Sequence, residues 1–192
     1  MKTIPSTEKY EAILQAALHL FSRHGVSNTS TAVIAKEAGV ATGTLFHHFV
    51  SKETLIDMLY LRLKAQLTTS LKQNLDPSME LVTQFRQLWF NTLRWMVQHP
   101  MEQQFFQQLD HRVMISPRIR EQAAQDAAFL TVLLDHGLRS GVLKELPPAY
   151  LAVLHTSLLD ASAKYLLTLS EPLGDAVLQD QLYQAYWDSI RR

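Results

Sequence analysis

A chain of 192 residues, 47% of them hydrophobic, is long enough for one large domain or two small ones with a sizeable core. It has no cysteine, which excludes disulfides, thiolate metal sites and thiol nucleophiles and fits a cytoplasmic location; the opening MKTIPSTEKY lacks the apolar segment of a signal peptide, and no apolar run could span a bilayer, so no membrane partner is expected. The 18 Lys/Arg balance 18 Asp/Glu overall, but residues 1–72 hold eight basic against five acidic side chains, a net of +3, which permits an anionic partner at that end without requiring one.

Helical periodicity dominates the chain and strand signals are scarce. Tyr10, Ile13, Leu14, Ala17, Leu18 and Phe21 fall on one helical stripe, and Gly25 lies just past it, where a helix ends in left-handed geometry. A short helix follows, capped by Thr29 or Ser30 and ended by Gly39. Ser51 caps a long helix predicted over residues 52 to about 75. Asp76-Pro77 predicts the start of another, ending near His99 before Pro100. A polar-aromatic helix is expected over 101–112. Ser116-Pro117 predicts a helix to about Ser140, with Gly141 beyond it. Pro147-Pro148 opens the next, and Glu171-Pro172 separates it from a last helix over 174–191. The fold class is therefore all-α, with nine predicted helices, divided into residues 1–52 and 53–192.

The last two helices are apolar over most of their circumference, which demands burial on more than one side. Leu151, Leu154, Leu158, Tyr165 and Leu169 mark one stripe; Leu178, Leu182 and Ala185 mark a second, while Tyr183, Tyr186, Trp187 and Ile190 crowd the opposite side of the final helix. Few elements of the same chain remain to cover them. A homodimer is expected, with Leu151, Leu154, Leu158, Leu178, Leu182, Tyr183 and Trp187 in a four-helix interface.

The stretch GVATGTLFHHFVSKETL, residues 39–55, combines two glycines with two histidines in a helix-rich chain. With Ala41 as N-cap and Thr42 as first helical residue, Val40 and Leu45 occupy the two positions of a hydrophobic staple. Phe49 lies one turn farther on the same side. Thr42, Gly43, Thr44, His47 and His48 then remain outside. Gly43 costs about 1 kcal/mol of helix propensity relative to alanine, which suits close approach of another backbone. Hydroxyls, imidazoles and free helix N–H groups suit phosphate oxygens and base edges. Two short helices joined by a tight glycine turn make a helix-turn-helix.

The ungapped run KYEAILQAALHLFSRHGVSNTSTAVIAKEAGVATGTLFHHFVSKETL, residues 9–55, resembles the N-terminal domain of TetR-family transcriptional regulators. Its parts are the A-x-x-L-F-x-x-x-G first helix, T-S-T-x-x-I-A-x-x-A-G-V, and G-T-L-F-x-x-F-x-S-K-E-x-L. The rest of the chain matches that family only in length and helix count. The resemblance implies a three-helix DNA-binding domain followed by a six-helix ligand-binding and dimerisation domain. It places Thr29 and Ser30 near the DNA backbone, and Thr42, Gly43 and Thr44 at the leading end of the recognition helix. Phe46, His47 and His48 follow on the DNA side, and Lys52 meets a phosphate. The chain departs from the family twice: Ala41 replaces the usual Ser/Thr cap, and Phe46 replaces the usual Tyr.

The resemblance implies a ligand-responsive homodimeric regulator, foremost a repressor that leaves double-stranded palindromic operator DNA when a small apolar or amphipathic molecule binds. Aromatic and Met residues beside His111 and His155 suit an apolar pocket with a few polar anchors. Trp89, Phe106, His111, Phe129 and His155 are the candidate lining residues. The competing class is a small-molecule-binding or enzymatic helical protein with a degenerate DNA-binding domain, which Phe46 and the nearly neutral N-terminal domain would fit. No HExxH, P-loop or nucleophile elbow occurs, so no enzymatic activity and no cofactor are expected. Leu-Asp-His occurs at 109–111 and 134–136, and His47-His48 are adjacent, but solvated helix ends account for them better than metal ligation.

Overall fold

A computed structural model describes residues 6–109 and 114–192, and within them ten helices and no strand. The helices are α1 (Ser6–His24), α2 (Thr31–Glu37), α3 (Thr42–His48), α4 (Lys52–Leu71), α5 (Leu81–Gln98), α6 (Pro100–Gln108), α7 (Pro117–Asp126), α8 (Ala128–Arg139), α9 (Pro148–Leu166) and α10 (Ala176–Ile190). The chain divides into two compact units: Met1–Ala65 with Pro100–Ala124, and Gln66–His99 with Gln125–Arg192. Helix α4 is continuous in sequence through Ala65 and Gln66, where one unit gives way to the other.

In the first unit the predicted stripe of α1 is the core. Ile13, Leu14, Ala17, Leu18 and Phe21 are buried, against Ile34 and Ala35 of α2, Leu45 of α3, and Leu55, Leu59 and Leu63 of α4. Phe105 of α6 stacks on Phe21 with ring centroids 6.0 Å apart. Nearby, the side-chain amide of Gln108 donates to the Ser22 carbonyl at 3.0 Å. Gly25 ends α1 at φ +86°, as its position predicts, because a side chain resists that left-handed conformation.

The second unit is built on aromatic packing between α5 and α10. Trp89 is fully enclosed, stacked on Tyr186 at 6.1 Å and edge-on to Tyr183 at 5.6 Å, while Phe85 meets Trp187 at 5.7 Å. Such pairs contribute roughly 0.5–1.5 kcal/mol each beyond the area they bury. The amide of buried Asn91 donates to the carbonyls of Leu71 (3.0 Å) and Gln73 (2.7 Å), satisfying acceptors that the end of α4 leaves free. The ammonium of Lys144 does the same for α10, donating to the carbonyls of Asp188 and Ser189 at 3.0 and 2.9 Å.

Three expectations change. Asp76-Pro77 forms a turn rather than a helix start: the Asp76 carboxylate accepts from Ser78 N–H at 2.8 Å, and α5 begins only at Leu81. The same hydrogen bonds that let aspartate cap a helix also close an isolated turn. The helix predicted over 117–140 is two helices, broken at Ala127 (φ −98°, ψ 11°) beside the point where the chain passes between units. No Gly or Pro marks that break. The helix predicted over 52–75 also ends about one turn early, at Leu71, and Asn74 beyond it adopts φ +55°.

Candidate nucleic-acid interface and ligand pocket

The α2–α3 turn follows from a few local hydrogen bonds. The Ser30 hydroxyl caps α2, accepting from Val33 N–H at 3.4 Å. At the other end, Val40 N–H donates to the Ala35 carbonyl (2.9 Å) and Gly39 N–H to Lys36 (3.1 Å), with Gly39 at φ +66°. These paired bonds are a Schellman ending, and the positive φ explains the glycine. Ala41 then stands as N-cap in extended geometry with no side-chain cap bond, and Thr42 is the first residue of α3.

Leu45 and Phe49 are 0% exposed and anchor α3 to the core, with Val40 packed partly against it. Tyr10 stacks on Phe49 at 4.9 Å and meets His48 edge-on at 6.0 Å, which holds the end of α3 against α1. On the other side, Thr42, Gly43, Phe46 and His47 are exposed, and Thr44 and His48 are half-buried. A Cβ at Gly43 would meet nothing of its own unit within 4 Å. Gly43 therefore stands clear of the side chains around it.

Beside α3 lies an open hollow of about 470 Å³, lined by Ser30, Thr31, Phe46, Ser51 and Lys52 among others. Ser51 caps α4, accepting from Thr54 N–H at 3.2 Å, and so sets the position of Lys52. Thr29 also lines the hollow but is only 4% exposed: its hydroxyl donates inward to the Gly25 carbonyl at 2.8 Å. Its place is behind the surface, bracing the α1–α2 turn, while Ser30 is exposed.

The second unit contains a cavity of about 180 Å³ walled by Phe85, Leu88, Leu133, Leu143, Leu151 and Ile190, with polar groups only from His155, Thr156 and Tyr186. Gly137 helps shape it. A Cβ there would lie 2.6 Å from Leu143 Cδ1 and 3.1 Å from the Phe85 ring, so only glycine lets Leu143 pack against α8. His155 Nδ1 and the Tyr186 hydroxyl are 3.0 Å apart. Burial pushes the His155 imidazole down to about 4 and holds the Tyr186 hydroxyl above its usual range, so both are neutral at pH 7.

Of the candidate pocket residues, His155 lines this cavity. Trp89 is packed among aromatic rings and is not on its wall. Phe106 belongs to the other unit, edge-on to Tyr60 at 5.8 Å and beneath the Lys64 ammonium at 4.9 Å. Phe129 lies under the Lys72 ammonium at 4.9 Å in a separate hollow near His136. His111 and the first Asp-His pair lie outside the described residues. Phe85, Leu88, Tyr186 and Ile190 also line the His155 cavity and were not among the candidate lining residues. Their helical spacing was the available signal, but it does not tell a cavity wall from a filled core.

The candidate interface residues divide in the same way. Leu151, Tyr183 and Trp187 are buried within their own unit, because each faces the α5 side; Leu151 keeps 2% of its surface and has none to lose to a partner. Leu154, Leu158, Leu178 and Leu182 are partly exposed. Val153, Tyr165 and Val177 are further exposed apolar side chains of α9 and α10, at 57%, 51% and 68%.

Comparison with known proteins places both parts of the chain. The family described as bacterial regulatory proteins, tetR family, matches residues 13–59, and the tetracyclin repressor-like C-terminal domain matches residues 80–191. The crystal structure of a tetR-family transcription regulator from Shewanella sp. PV-4 is similar at 34% identity and a TM-score of 0.85, over 96% of this chain and 98% of that one. A TetR-family regulator from Marinobacter aquaeolei VT8 shares the fold, with a TM-score of 0.85 at 23% identity over 96% of each chain. An uncharacterized HTH-type transcriptional regulator of Haemophilus influenzae is 30% identical over 94 residues, which are 49% of this chain and half of that protein.

Proposed function

Because the chain belongs to the tetR family of bacterial regulatory proteins, and is thus a transcriptional regulator, we propose that it is a homodimeric repressor released from palindromic operator DNA by a small molecule. The observation that carries this reading is the presentation of α3: Leu45 and Phe49 are wholly buried while Thr42, Gly43, Phe46 and His47 stand exposed. An element so short and so firmly anchored suits the major groove, which admits one helix.

In this proposal Thr42, Thr44 and His47 read base edges. Ser30, His48 and Lys52 touch backbone phosphates, Gly43 allows close approach, and Phe46 packs on the sugar-phosphate edge. Thr29 braces the turn behind them. Residues 1–52 serve DNA binding and 53–192 serve ligand binding and dimerisation. A second copy covers Leu154, Leu158, Leu178 and Leu182 in a two-fold arrangement, which sets the spacing of two half-sites about one helical turn apart or somewhat more. An apolar or amphipathic effector occupies the cavity beside His155 and favours a dimer whose recognition helices no longer match that spacing. Linkage requires operator DNA to weaken the effector by the same factor, typically about 1–3 kcal/mol.

The test is selection of binding sites from a random duplex library, followed by a salt series on the selected and random DNA. The expected result is an imperfect palindrome whose binding persists at salt concentrations that remove non-specific binding. Recovery of no preferred site would overturn the proposal and favour a small-molecule-binding protein whose DNA domain no longer functions.

A further inference from the structure

We infer that the cavity between α5, α8, α9 and α10 selects an uncharged, hydroxyl-bearing molecule of about one ring, such as a phenol or a short alcohol, an inference that rests on the reading of this cavity as the effector site.

Size comes first. The cavity holds about 180 Å³. A cavity of about 150 Å³ lined by Leu, Ile and Phe accommodates benzene. The space here therefore admits one ring with a small substituent, or a short chain of similar volume.

The walls decide charge. Among the described residues that line the cavity there is no Lys, Arg, Asp or Glu. A carboxylate or ammonium would lose its hydration with no opposite charge to replace it, and an isolated buried charge is among the costliest groups to hold. Imidazolium could have served an anion, but His155 is neutral at pH 7, because burial disfavours its charged form.

Of the three polar side chains on the wall, Thr156 donates its hydroxyl back to the Ala152 and Val153 carbonyls at 3.0 and 3.1 Å, so the His155–Tyr186 pair decides the functional group. His155 Nδ1 and the Tyr186 hydroxyl share one hydrogen bond at 3.0 Å. If Tyr186 donates to Nδ1, the imidazole retains an Nε2–H donor and the phenol oxygen retains an acceptor lone pair. If Nδ1–H donates to the phenol oxygen, Nε2 becomes the acceptor and the Tyr186 O–H the donor. Either tautomer leaves one donor and one acceptor and no net charge. A ligand hydroxyl, which both donates and accepts, complements that pair; a hydrocarbon leaves it unsatisfied, and a carboxylate offers two acceptors to one donor.

Titration calorimetry on the full dimeric chain at pH 7 tests this with three probes of one shape: 4-methylphenol, toluene and 4-methylbenzoate. The expected result is saturable binding of 4-methylphenol at one per chain, at least tenfold weaker binding of toluene, and no binding of 4-methylbenzoate at millimolar concentration. Tyr186→Phe should narrow the preference for 4-methylphenol over toluene to a few-fold, a change that a merely structural role for Tyr186 would not produce. Equal or tighter binding of the benzoate, or no binding of 4-methylphenol, would overturn the inference. Binding of 4-methylphenol without any change in operator affinity would leave the inference standing and instead count against release by this cavity.

Discussion

The α2–α3 pair and the α9–α10 pair each keep one side away from their own core, and the two sides differ in chemistry. Around α3 the outward groups include the small or polar Thr42, Gly43, His47 and, beside them, Ser30, with Phe46 and Val50 as exposed apolar exceptions. On α9 and α10 they are Val153, Leu154, Leu158, Tyr165, Val177 and Leu178. Water solvates the first surface at little cost. The second is rich in exposed apolar side chains, of the kind that mark a protein interface. The lesson is that exposure has two meanings here: at α3 it keeps hydrogen-bonding groups available to a polar partner, and at α9–α10 it requires a second apolar surface.

The largest expected effect strikes the apolar side. Leu158→Glu introduces two carboxylates across a two-fold interface and should weaken the dimer by roughly a thousandfold or more, since each buried unpaired charge costs several kcal/mol. Sedimentation would report monomers with unchanged helical content; a persistent dimer would show that α9 faces no partner. Thr44→Asp addresses the polar side. It sets a negative charge against phosphates and should lower operator affinity by about a hundredfold while leaving the dimer whole. A wild-type footprint would displace α3 from the groove.

The pocket supplies a pH test of intermediate size. The folded-state value of His155, about 4, lies below the ordinary 6.5. The unfolded chain therefore binds a proton in this interval that the folded chain does not, so stability is full above about pH 6.5 and falls as pH drops toward 4. The loss amounts to about 3 kcal/mol over that interval. Thermal melts of wild type and His155→Asn across this range should differ by that slope; parallel profiles would show that His155 is not held neutral. The smallest effect sharpens the polar side. Ala41→Ser supplies the missing cap of α3 and should stabilise the first unit by about 0.5–2 kcal/mol, read as slower amide exchange in α3.

Much of the first unit was legible before folding was considered. Gly25 and Gly39 announced helix ends because positive φ is costly for other residues, and both adopt it. Ala41, Thr42 and Leu45 took the capping, first-turn and anchoring positions that their spacing assigned. Thr29 was less legible. Its sequence position matches a surface cap, yet its hydroxyl bonds Gly25, a choice between two local acceptors that the sequence leaves open.

What the sequence determined by itself, then, is the set of features governed by neighbours within about one helical turn: the all-α class, most helix ends, the α2–α3 turn and the outward residues of α3. Only tertiary structure decided which apolar stripe of α9 and α10 turns inward. Leu151, Tyr183 and Trp187 are buried while Leu154, Leu158 and Leu178 stay partly exposed, and a helix apolar on every side carries no internal mark of that choice. The break at Ala127 and the packing of Leu143 over Gly137 have the same origin. Each depends on how distant segments fill a shared volume, and close packing is a property of the whole arrangement rather than of any stretch of chain.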